Sequence, residues 1–182
     1  MIIAITGTPG TGKTSVSKII QKDGFEVVDF NKIACENNFL IGKDKKRDSN
    51  IIDIKRFDEY IRKNYIGKEI VFIEGHLSHH LKCVDKVILL RCHPNKLRKN
   101  LSKKGWKEIK IKENIEAEIL DIILCEVVEK YPEENIFEID TTDKSIEGIA
   151  HDIIELTKEN FRKVKKYNIG KIDWSEEILK DF

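Results

Sequence analysis

Apolar runs that predict strands alternate with segments of helical periodicity along most of the chain. The strand-like runs are residues 1–6, 25–29, 70–74, 86–90 and 136–140. Two of them, 70–74 and 86–90, show no polar alternation, which is typical of a parallel strand covered on both faces. Because strands that alternate with helices favour right-handed parallel crossovers, we expect an α/β fold with a five-stranded parallel sheet.

Helical segments are predicted from residues 15–21, where Val16, Ile19 and Ile20 share one face, and from Pro94 to about Lys103. A single long amphipathic helix is predicted over about 113–129, and a last helix over about 145–164. The inner stripe of the long helix is expected to be Ile115, Ile119, Ile122, Ile123 and Val127.

Two polar segments interrupt this alternation. Residues 42–50 contain little hydrophobic surface and follow a short helix predicted over 30–38, so they are a candidate flap. The segment 91–112 is rich in lysine and arginine around Gly105 and Trp106, and it is a candidate lid. The tail 165–182 has few core-forming positions, and the length of 182 residues fits one compact domain.

Composition narrows the possible environments. The chain has 33 Lys plus Arg and 32 Asp plus Glu, a formal net charge of +1, so the whole molecule has no field that would draw it onto nucleic acid or a membrane. No apolar run approaches the roughly 20 residues that cross a bilayer, and the first strand leaves no room for a cleaved signal. The four cysteines lack C-x-x-C spacing, so we expect buried thiols and a cytoplasmic protein.

Residues Gly7 to Thr14 read Gly-Thr-Pro-Gly-Thr-Gly-Lys-Thr, a complete G-x-x-x-x-G-K-[ST] phosphate loop between a strand and a helix. Its glycines let backbone N–H groups surround an anion, and Lys13 supplies a mobile charge for the β and γ phosphates. Thr14 offers a hydroxyl to Mg²⁺. The alternative is an ordinary glycine turn, but the order of elements predicts a triphosphate site.

A second motif, Glu74-Gly75-His76, ends the third predicted strand. Glu74 is expected to hold Mg²⁺ through water, and His76 to position or deprotonate a nucleophile. The alternatives are a strand-end carboxylate bound by backbone donors and a solvent-facing histidine. His79 and His80 follow closely, but a Mg²⁺–phosphate site prefers oxygen ligands, so the sequence favours no histidine metal cluster.

Candidate cations and acceptor groups lie in the two polar segments. Lys104 and Arg98 are the preferred functional members of the lid, although a solvated helical face is the better interpretation for most of the basic residues there. The acceptor pocket is the least defined part of the site. It could bind AMP or another polar acceptor through Asp29, Asn31, Asp44 and Arg47.

Together these motifs resemble the adenylate kinase isoenzyme 6 family in its archaeal form. The resemblance rests on the phosphate loop 7–14, the carboxylate-x-His of 74–76, the Lys-Gly-Trp of 104–106 and the Glu-Asn-Ile-Glu-Ala-Glu-Ile of 113–119. It covers about residues 1–155. It implies a P-loop NTPase of the nucleoside monophosphate kinase type, a three-layer α/β/α domain with a flap near 29–53 and a lid near 103–113.

The resemblance also implies an activity and partners. The activity is transfer of the γ-phosphoryl group of ATP to AMP with Mg²⁺, giving ADP, together with a slow ATPase. The implied partners are a small-subunit ribosomal protein and immature rRNA. By position, the residues that would contact ATP are Gly10, Gly12, Lys13, Thr14 and Ser15, with Lys104 in the lid, and Glu74 with His76 would be the second motif. Lys144 is similar in position to a residue near the adenine, and a solvated turn lysine is an equally good interpretation.

Two departures and two alternative functions remain. The family often has Asp where this chain has Glu74 and Arg where it has Lys104. Both changes keep the charge, so we expect an altered rate rather than lost activity.

One alternative function is a nucleotide-gated ribosome assembly ATPase with little kinase activity. Weak support for it comes from the basic cluster Arg162, Lys163, Lys165 and Lys166. The other is a kinase for a different small acceptor.

Overall fold

A five-stranded sheet, in which every neighbouring pair of strands is parallel, forms the centre of the protein in the computed structural model, which describes residues 1–44, 49–162 and 165–179. The predicted fold class is confirmed. The strands are β1 (Ile2–Thr6), β2 (Glu26–Asp29), β3 (Leu40–Asp44), β4 (Ser49–Ile52), β5 (Val71–Glu74), β6 (Lys86–Arg91) and β7 (Ile136–Asp140). The strand order in the sheet is β2-β5-β1-β6-β7, and β3 and β4 pair separately as an antiparallel hairpin.

Helices cover both faces of this sheet. The helices are α1 (Lys13–Lys22), α2 (Phe30–Glu36), α3 (Ile54–Tyr65), α4 (Pro94–Lys103), α5 (Glu108–Ile119), α6 (Ile122–Val128) and α7 (Ile146–Lys158). Side chains alternate between the two faces along β1. Ile3 and Ile5 pack with α1 and α7, while Ile2 and Ala4 pack with α2, α3 and α6, which makes three layers. None of the helices in the described part of the chain is long and apolar enough to cross a membrane.

The prediction of one long helix over 113–129 is wrong, because Asp121 adopts a left-handed conformation (φ 53°) and separates α5 from α6. Ile115 and Ile119 pack on α4 in a third apolar cluster, whereas Val127 packs on the sheet. Ile122, predicted on the inner stripe, is exposed. The break lets Asp121 reach the guanidinium of Arg91, a charged contact that hydrophobic periodicity does not reveal.

Two other predicted boundaries change. The last helix ends at Lys158 rather than Val164, which lies outside the described residues; Asn160 and Phe161 then take positive φ angles, and Phe161 packs against Phe137. The lid segment is partly helical, since α5 begins at Glu108. Among the cysteines, Cys83 and Cys92 are buried as expected, but Cys35 and Cys125 are exposed.

The tail folds back onto the domain beside β7. The backbone N–H of Gly170 donates to Glu138 Oε2 at 3.1 Å, and Tyr167 is buried next to the strand. Trp174 packs on the cluster formed by α4 and α5, and its ring lies 5.0 Å from that of His93. The tail therefore joins the last strand to the helices at the base of the candidate lid.

Candidate active site

The phosphate loop joins the carboxyl end of β1 to the start of α1, in the middle of the sheet. β5 and β6 pair with β1 on its two sides, so the chain reverses its direction of winding around this strand. Open parallel sheets bind ligands at such a point, where the loops diverge. The predicted site residues that follow β1, β2 and β5 are therefore brought to one edge.

Close packing fixes the shape of the loop. Gly10 has φ +99°, and a Cβ there would lie 2.8 Å from Leu97 Cδ1 of α4, so no side chain fits without displacement. Asn100 Nδ2, also on α4, donates to Gly10 O at 3.0 Å. Gly12 is the N-cap of α1 and lies beside Ile146 at the start of α7.

Lys13 lies under the loop with its ammonium group directed at backbone carbonyls. Its Nζ donates to Gly7 O at 2.7 Å and to Thr8 O at 2.9 Å, and the residue is 8% exposed. Burial lowers the pKa of Lys13 to about 8, and the carboxylates of Glu74 and Glu118 oppose this shift. The ammonium group is therefore held inside the loop by two backbone carbonyls, with two carboxylates nearby.

Hydroxyl and carboxylate oxygens meet beside this lysine. Thr14 Oγ1 donates to Glu74 Oε1 at 3.2 Å and lies 3.3 Å from Oε2, and Glu74 is buried. Burial, and then the charge of Asp29, raise the pKa of Glu74; Asp29 is its register partner on β2. Hard oxygen donors of this kind suit Mg²⁺, so these side chains fit the ion implied by the sequence motif.

His76 lies in the turn after β5, close to the same lysine. Burial, and then the positive charge of Lys13, lower the pKa of His76 to about 4, so its imidazole is neutral at pH 7. His80 and Lys110 act in the same direction, and Glu126 opposes them. The prediction that His76 faces solvent is the weaker alternative, since its ring is largely withdrawn from water.

A buried charge network behind the loop was missed by the sequence analysis. Glu118 Oε2 accepts from Thr8 Oγ1 at 2.5 Å, while Glu118 Oε1 accepts from Arg91 Nε at 2.8 Å and from the backbone N–H of Cys92 at 3.1 Å. Arg91 Nη1 donates to Glu138 Oε1 at 2.6 Å. Arg91 is 2% exposed, so its assignment to the mobile basic segment is wrong.

The signal for this network was present but incomplete. Glu118 is three residues after Ile115 and lies next to Ile119, on the apolar side of α5, and an acidic residue in such a position requires a buried partner. Arg91 directly follows an apolar strand. Neither pattern identifies the other residue, because the pairing depends on where α5 crosses the sheet.

The lid candidates are on the surface near the loop. Lys104 is exposed at the C-cap of α4, and its charge contributes to the lowered pKa of Lys13 and opposes the raised pKa of Glu74. Arg98 pairs with Glu108, which connects α4 to the first turn of α5. Lys104 therefore acts electrostatically on Lys13 and Glu74, whereas Arg98 connects the two lid helices.

The remaining predicted residues are more dispersed. Asp29 caps α2 by accepting from the backbone N–H of Lys32 at 2.9 Å, and Asn31 and Ser15 are exposed. Asp44 ends β3, and Arg47 lies outside the described residues.

Lys144 forms an ion pair with Asp152 Oδ2 at 2.5 Å. It also lines a cavity of about 200 Å³ with the tail residues Lys166, Tyr167, Asn168, Lys171 and Ile172 and with Glu138 and Asp140 of β7. Lys144 is two residues before Ile146, which contacts the position of Gly12.

Known proteins share both the fold and the sequence pattern. The chain superimposes with a TM-score of 0.60 on the shikimate kinase of Acinetobacter baumannii, which is 18% identical, with 89% of this chain and 95% of that chain covered. The thymidylate kinase of Candida albicans gives a TM-score of 0.60 at 11% identity, covering 87% of this chain and 91% of the other. These likenesses identify a P-loop NTPase fold of the nucleoside monophosphate kinase type.

Sequence comparison is more specific. Residues 3–121 match the family model described as "AAA domain". A protein of Methanocaldococcus jannaschii named "Putative adenylate kinase" is 39% identical over 180 residues, which cover 98% of this chain and 96% of the relative, so the similarity extends through the tail and beyond residue 155. The chain therefore belongs to the AAA-domain family, and it also belongs to the family of archaeal proteins that carry that adenylate kinase name.

Proposed function

We propose that the protein is an ATP:AMP phosphotransferase that forms two ADP from ATP and AMP, with a slow ATPase as a side reaction. The observation that supports this proposal most strongly is the position of Lys13, whose ammonium lies on the carbonyls of Gly7 and Thr8 beside the Thr14–Glu74 oxygen pair. The adenylate kinase name of the relatives supports the choice of reaction.

Different residues of this chain would have different roles in phosphoryl transfer. The backbone of Gly10 and Gly12 would enclose the β phosphate, and Lys13 would leave the two carbonyls to bind the β and γ phosphates. Thr14 and Glu74 would hold Mg²⁺, which neutralises charge on the β and γ phosphates when bound. Ser15 would add a hydroxyl at the exposed first turn of α1, and Lys104 would cover the γ phosphate from the lid.

The acceptor would enter between the end of β2 and the β3–β4 hairpin. Asp29 lies there as the register partner of Glu74, and Asn31 follows it in the first turn of α2. Arg47 is the remaining candidate for the acceptor phosphate. A phosphate oxygen of AMP attacks the γ phosphorus, the bond to the β–γ bridging oxygen breaks, and ADP leaves. Neutral His76 would orient the attacking group rather than carry charge, because an imidazolium beside Lys13 is disfavoured.

The test compares ADP formation from MgATP with and without AMP. AMP should raise the initial rate, and a panel of nucleotide and small polar acceptors should show AMP as the preferred one. Equal rates with and without AMP would contradict the kinase assignment and favour an ATPase. A preference for another acceptor would support the kinase assignment but would replace AMP as the acceptor substrate.

A role of this protein in maturation of the small ribosomal subunit is a proposal that rests on the family resemblance alone. Arg162, Lys165 and Lys166 are exposed near the tail, and Lys163 lies outside the described residues. In a nucleotide-gated assembly factor, ATP and ADP would give different affinities for the partner. A pull-down with the small-subunit ribosomal protein that is insensitive to both nucleotides would contradict this gating.

A further inference from the structure

Two histidines that the proposed reaction does not use lie against a carboxylate from a different part of the chain. His79 and His80 belong to the 3₁₀ turn Ser78–His80 after β5, and Glu126 belongs to α6. His79 Nε2 is 2.9 Å from Glu126 Oε2, and His80 Nε2 is 3.6 Å from the same oxygen. One ligand atom of each residue lies within 4.8 Å of the others.

The distances between these ligand atoms are close to those in a metal site, so only a small rearrangement would be needed to bind an ion. Ligand atoms that surround an ion tetrahedrally at about 2.1 Å are about 3.4 Å apart. The two measured separations, 2.9 and 3.6 Å, lie on either side of that value. Small side-chain rotations would therefore place an ion at bonding distance from all three residues.

His79 is held as metal-ligating histidines usually are. Its ring is fully buried, and Nδ1 lies 2.9 Å from Thr6 Oγ1, whose hydroxyl can donate onward to His76 O at 3.4 Å. The contact between Nε2 and Glu126 Oε2 is a hydrogen bond when Nε2 carries the ring proton. When the Thr6 hydroxyl proton points at the His76 carbonyl, Nδ1 can carry the ring proton instead, which leaves the lone pair of Nε2 free for an ion. A hydrogen bond on the ring nitrogen opposite the ligating one is the usual orienting contact of a metal-bound histidine.

Lys130 supplies a competing cation. Its Nζ contacts His80 Nδ1 from the exposed turn that follows α6. Because Lys130 is exposed, its ammonium can move into solvent when an ion binds. His80 would then ligate through Nε2, the ring atom already directed at Glu126.

We propose that His79, His80 and Glu126 form a binding site for a borderline first-row divalent cation of the Zn²⁺ or Co²⁺ type, with the remaining coordination position open to water. Imidazole nitrogen with one carboxylate suits these ions, whereas Mg²⁺ prefers an all-oxygen set. The bound ion would connect α6 to the turn that follows β5. This proposal differs from the expectation from sequence, which had no spacing signal for the site because Glu126 is 47 residues from His79.

The experiment uses the full chain, stripped of metal with a chelator, and no nucleotide. Zn²⁺ affinity is measured by competition with a chromophoric chelator, and Co²⁺ is added separately to record its visible absorption bands. Wild type should bind a single cation per chain with nitrogen and oxygen coordination. Glu126→Gln and His80→Ala should each weaken Zn²⁺ binding by at least about tenfold. Lys130→Met should tighten it, because the competing ammonium is gone.

Two matched variants control for general charge and histidine effects. Glu129→Gln changes an exposed carboxylate just after α6, and His151→Ala removes an exposed histidine of α7; both should bind Zn²⁺ like wild type. Far-UV circular dichroism shows that each variant is folded. Equal Zn²⁺ affinity in wild type and Glu126→Gln, or thiolate-to-cobalt charge-transfer bands from Cys35 or Cys125, would overturn the proposal. Failure of the kinase assay would leave this test unaffected.

Discussion

Thr8 Oγ1 donates a hydrogen bond of 2.5 Å to Glu118 Oε2, which joins the phosphate loop to a helix 110 residues further along the chain. The other carboxylate oxygen of Glu118 is bound to Arg91, so the loop, α5 and the end of β6 share one buried carboxylate. α5 also begins within the candidate lid. The conformation of the phosphate loop therefore depends on a helix that is continuous with the lid.

Replacing Glu118 by Gln should lower the free energy of unfolding by about 1.5–3 kcal/mol, the usual range for a hydrogen bond to a charged group. The amide keeps the volume, but it cannot accept from Thr8 and Arg91 with the same strength. Arg91 keeps Glu138 and Asp121, so the chain should still fold. Urea denaturation of Glu118→Gln and wild type measures the difference.

Glu116→Gln is the matched control, because Glu116 is on the exposed side of the same helix and pairs only loosely with Lys112, at 4.0 Å. Its effect should stay below about 0.5 kcal/mol, as for other exposed pairs. A similar decrease in the free energy of unfolding in both variants would show that the buried hydrogen bond from Thr8 to Glu118 contributes no more than an exposed pair.

Lys13→Met should reduce ADP formation by at least about 10²-fold, since a cation aimed at the developing charge of the transition state is lost. The free energy of unfolding should change little, because two contributions oppose each other. Removal of the buried ammonium, whose pKa burial lowers to about 8, favours the folded state, and loss of its hydrogen bonds to Gly7 O and Thr8 O disfavours it. Activity assays and urea denaturation separate the two effects. Lys18→Met, on the exposed side of α1, should leave both unchanged, and wild-type activity in Lys13→Met would contradict the assigned role.

The order of elements was predictable because it follows from local patterns. The five strands of the sheet, the phosphate loop and the start of α4 at Pro94 are each encoded in a few consecutive residues. Lys13, Thr14 and Glu74 come together because parallel strands present their carboxyl ends at one edge. No tertiary information was needed for that part of the site.

The charged contacts across the fold were not predictable in the same way. The break at Asp121 and the burial of Arg91 depend on each other, since the left-handed turn puts the Asp121 carboxylate on the guanidinium. Glu126 beside His79 is a similar case, because the two residues meet only after α6 has packed on the sheet. Such pairs depend on how elements cross, which periodicity along one chain does not specify.

Stability should fall as the pH falls from about 6.5 to about 4, in part because of His76. Burial, and then Lys13, lower the pKa of His76 from 6.5 to about 4. In that window the unfolded chain binds a proton that the folded chain does not, so acid favours unfolding; above pH 6.5 this loss is absent.

Urea denaturation at several pH values, in wild type and His76→Gln, isolates this contribution. The variant should lose less stability between pH 7 and pH 4 than wild type. Carboxylates with raised pKa, such as Glu74, act in the opposite sense, but they are common to both proteins. His151→Gln, at an exposed position of α7, should follow the wild-type curve. Parallel curves for wild type and His76→Gln would show that the ring is not withdrawn from water.

The docking of the tail depends on the aromatic surface of Trp174 rather than on its polar atom. Trp174 Nε1 is buried without a hydrogen-bond partner among the described residues, while the ring packs on the apolar cluster of α4 and α5. Trp174→Phe removes the unpaired N–H and keeps most of the contact, so it should be nearly neutral. Trp174→Ala should cost about 2 kcal/mol, less than the roughly 3–5 kcal/mol of a fully buried aromatic side chain.

Urea denaturation ranks the two Trp174 variants, and Ile178→Ala provides the control, because Ile178 lies in the same tail but is 56% exposed. That control should stay within about 0.5 kcal/mol of wild type. Limited proteolysis adds a local readout: Trp174→Ala should expose the tail to cleavage at protease concentrations that leave Trp174→Phe intact. Equal stability and equal cleavage of Trp174→Ala and wild type would mean that the tail is not held through this ring, and its contact with Glu138 would then have to carry the docking.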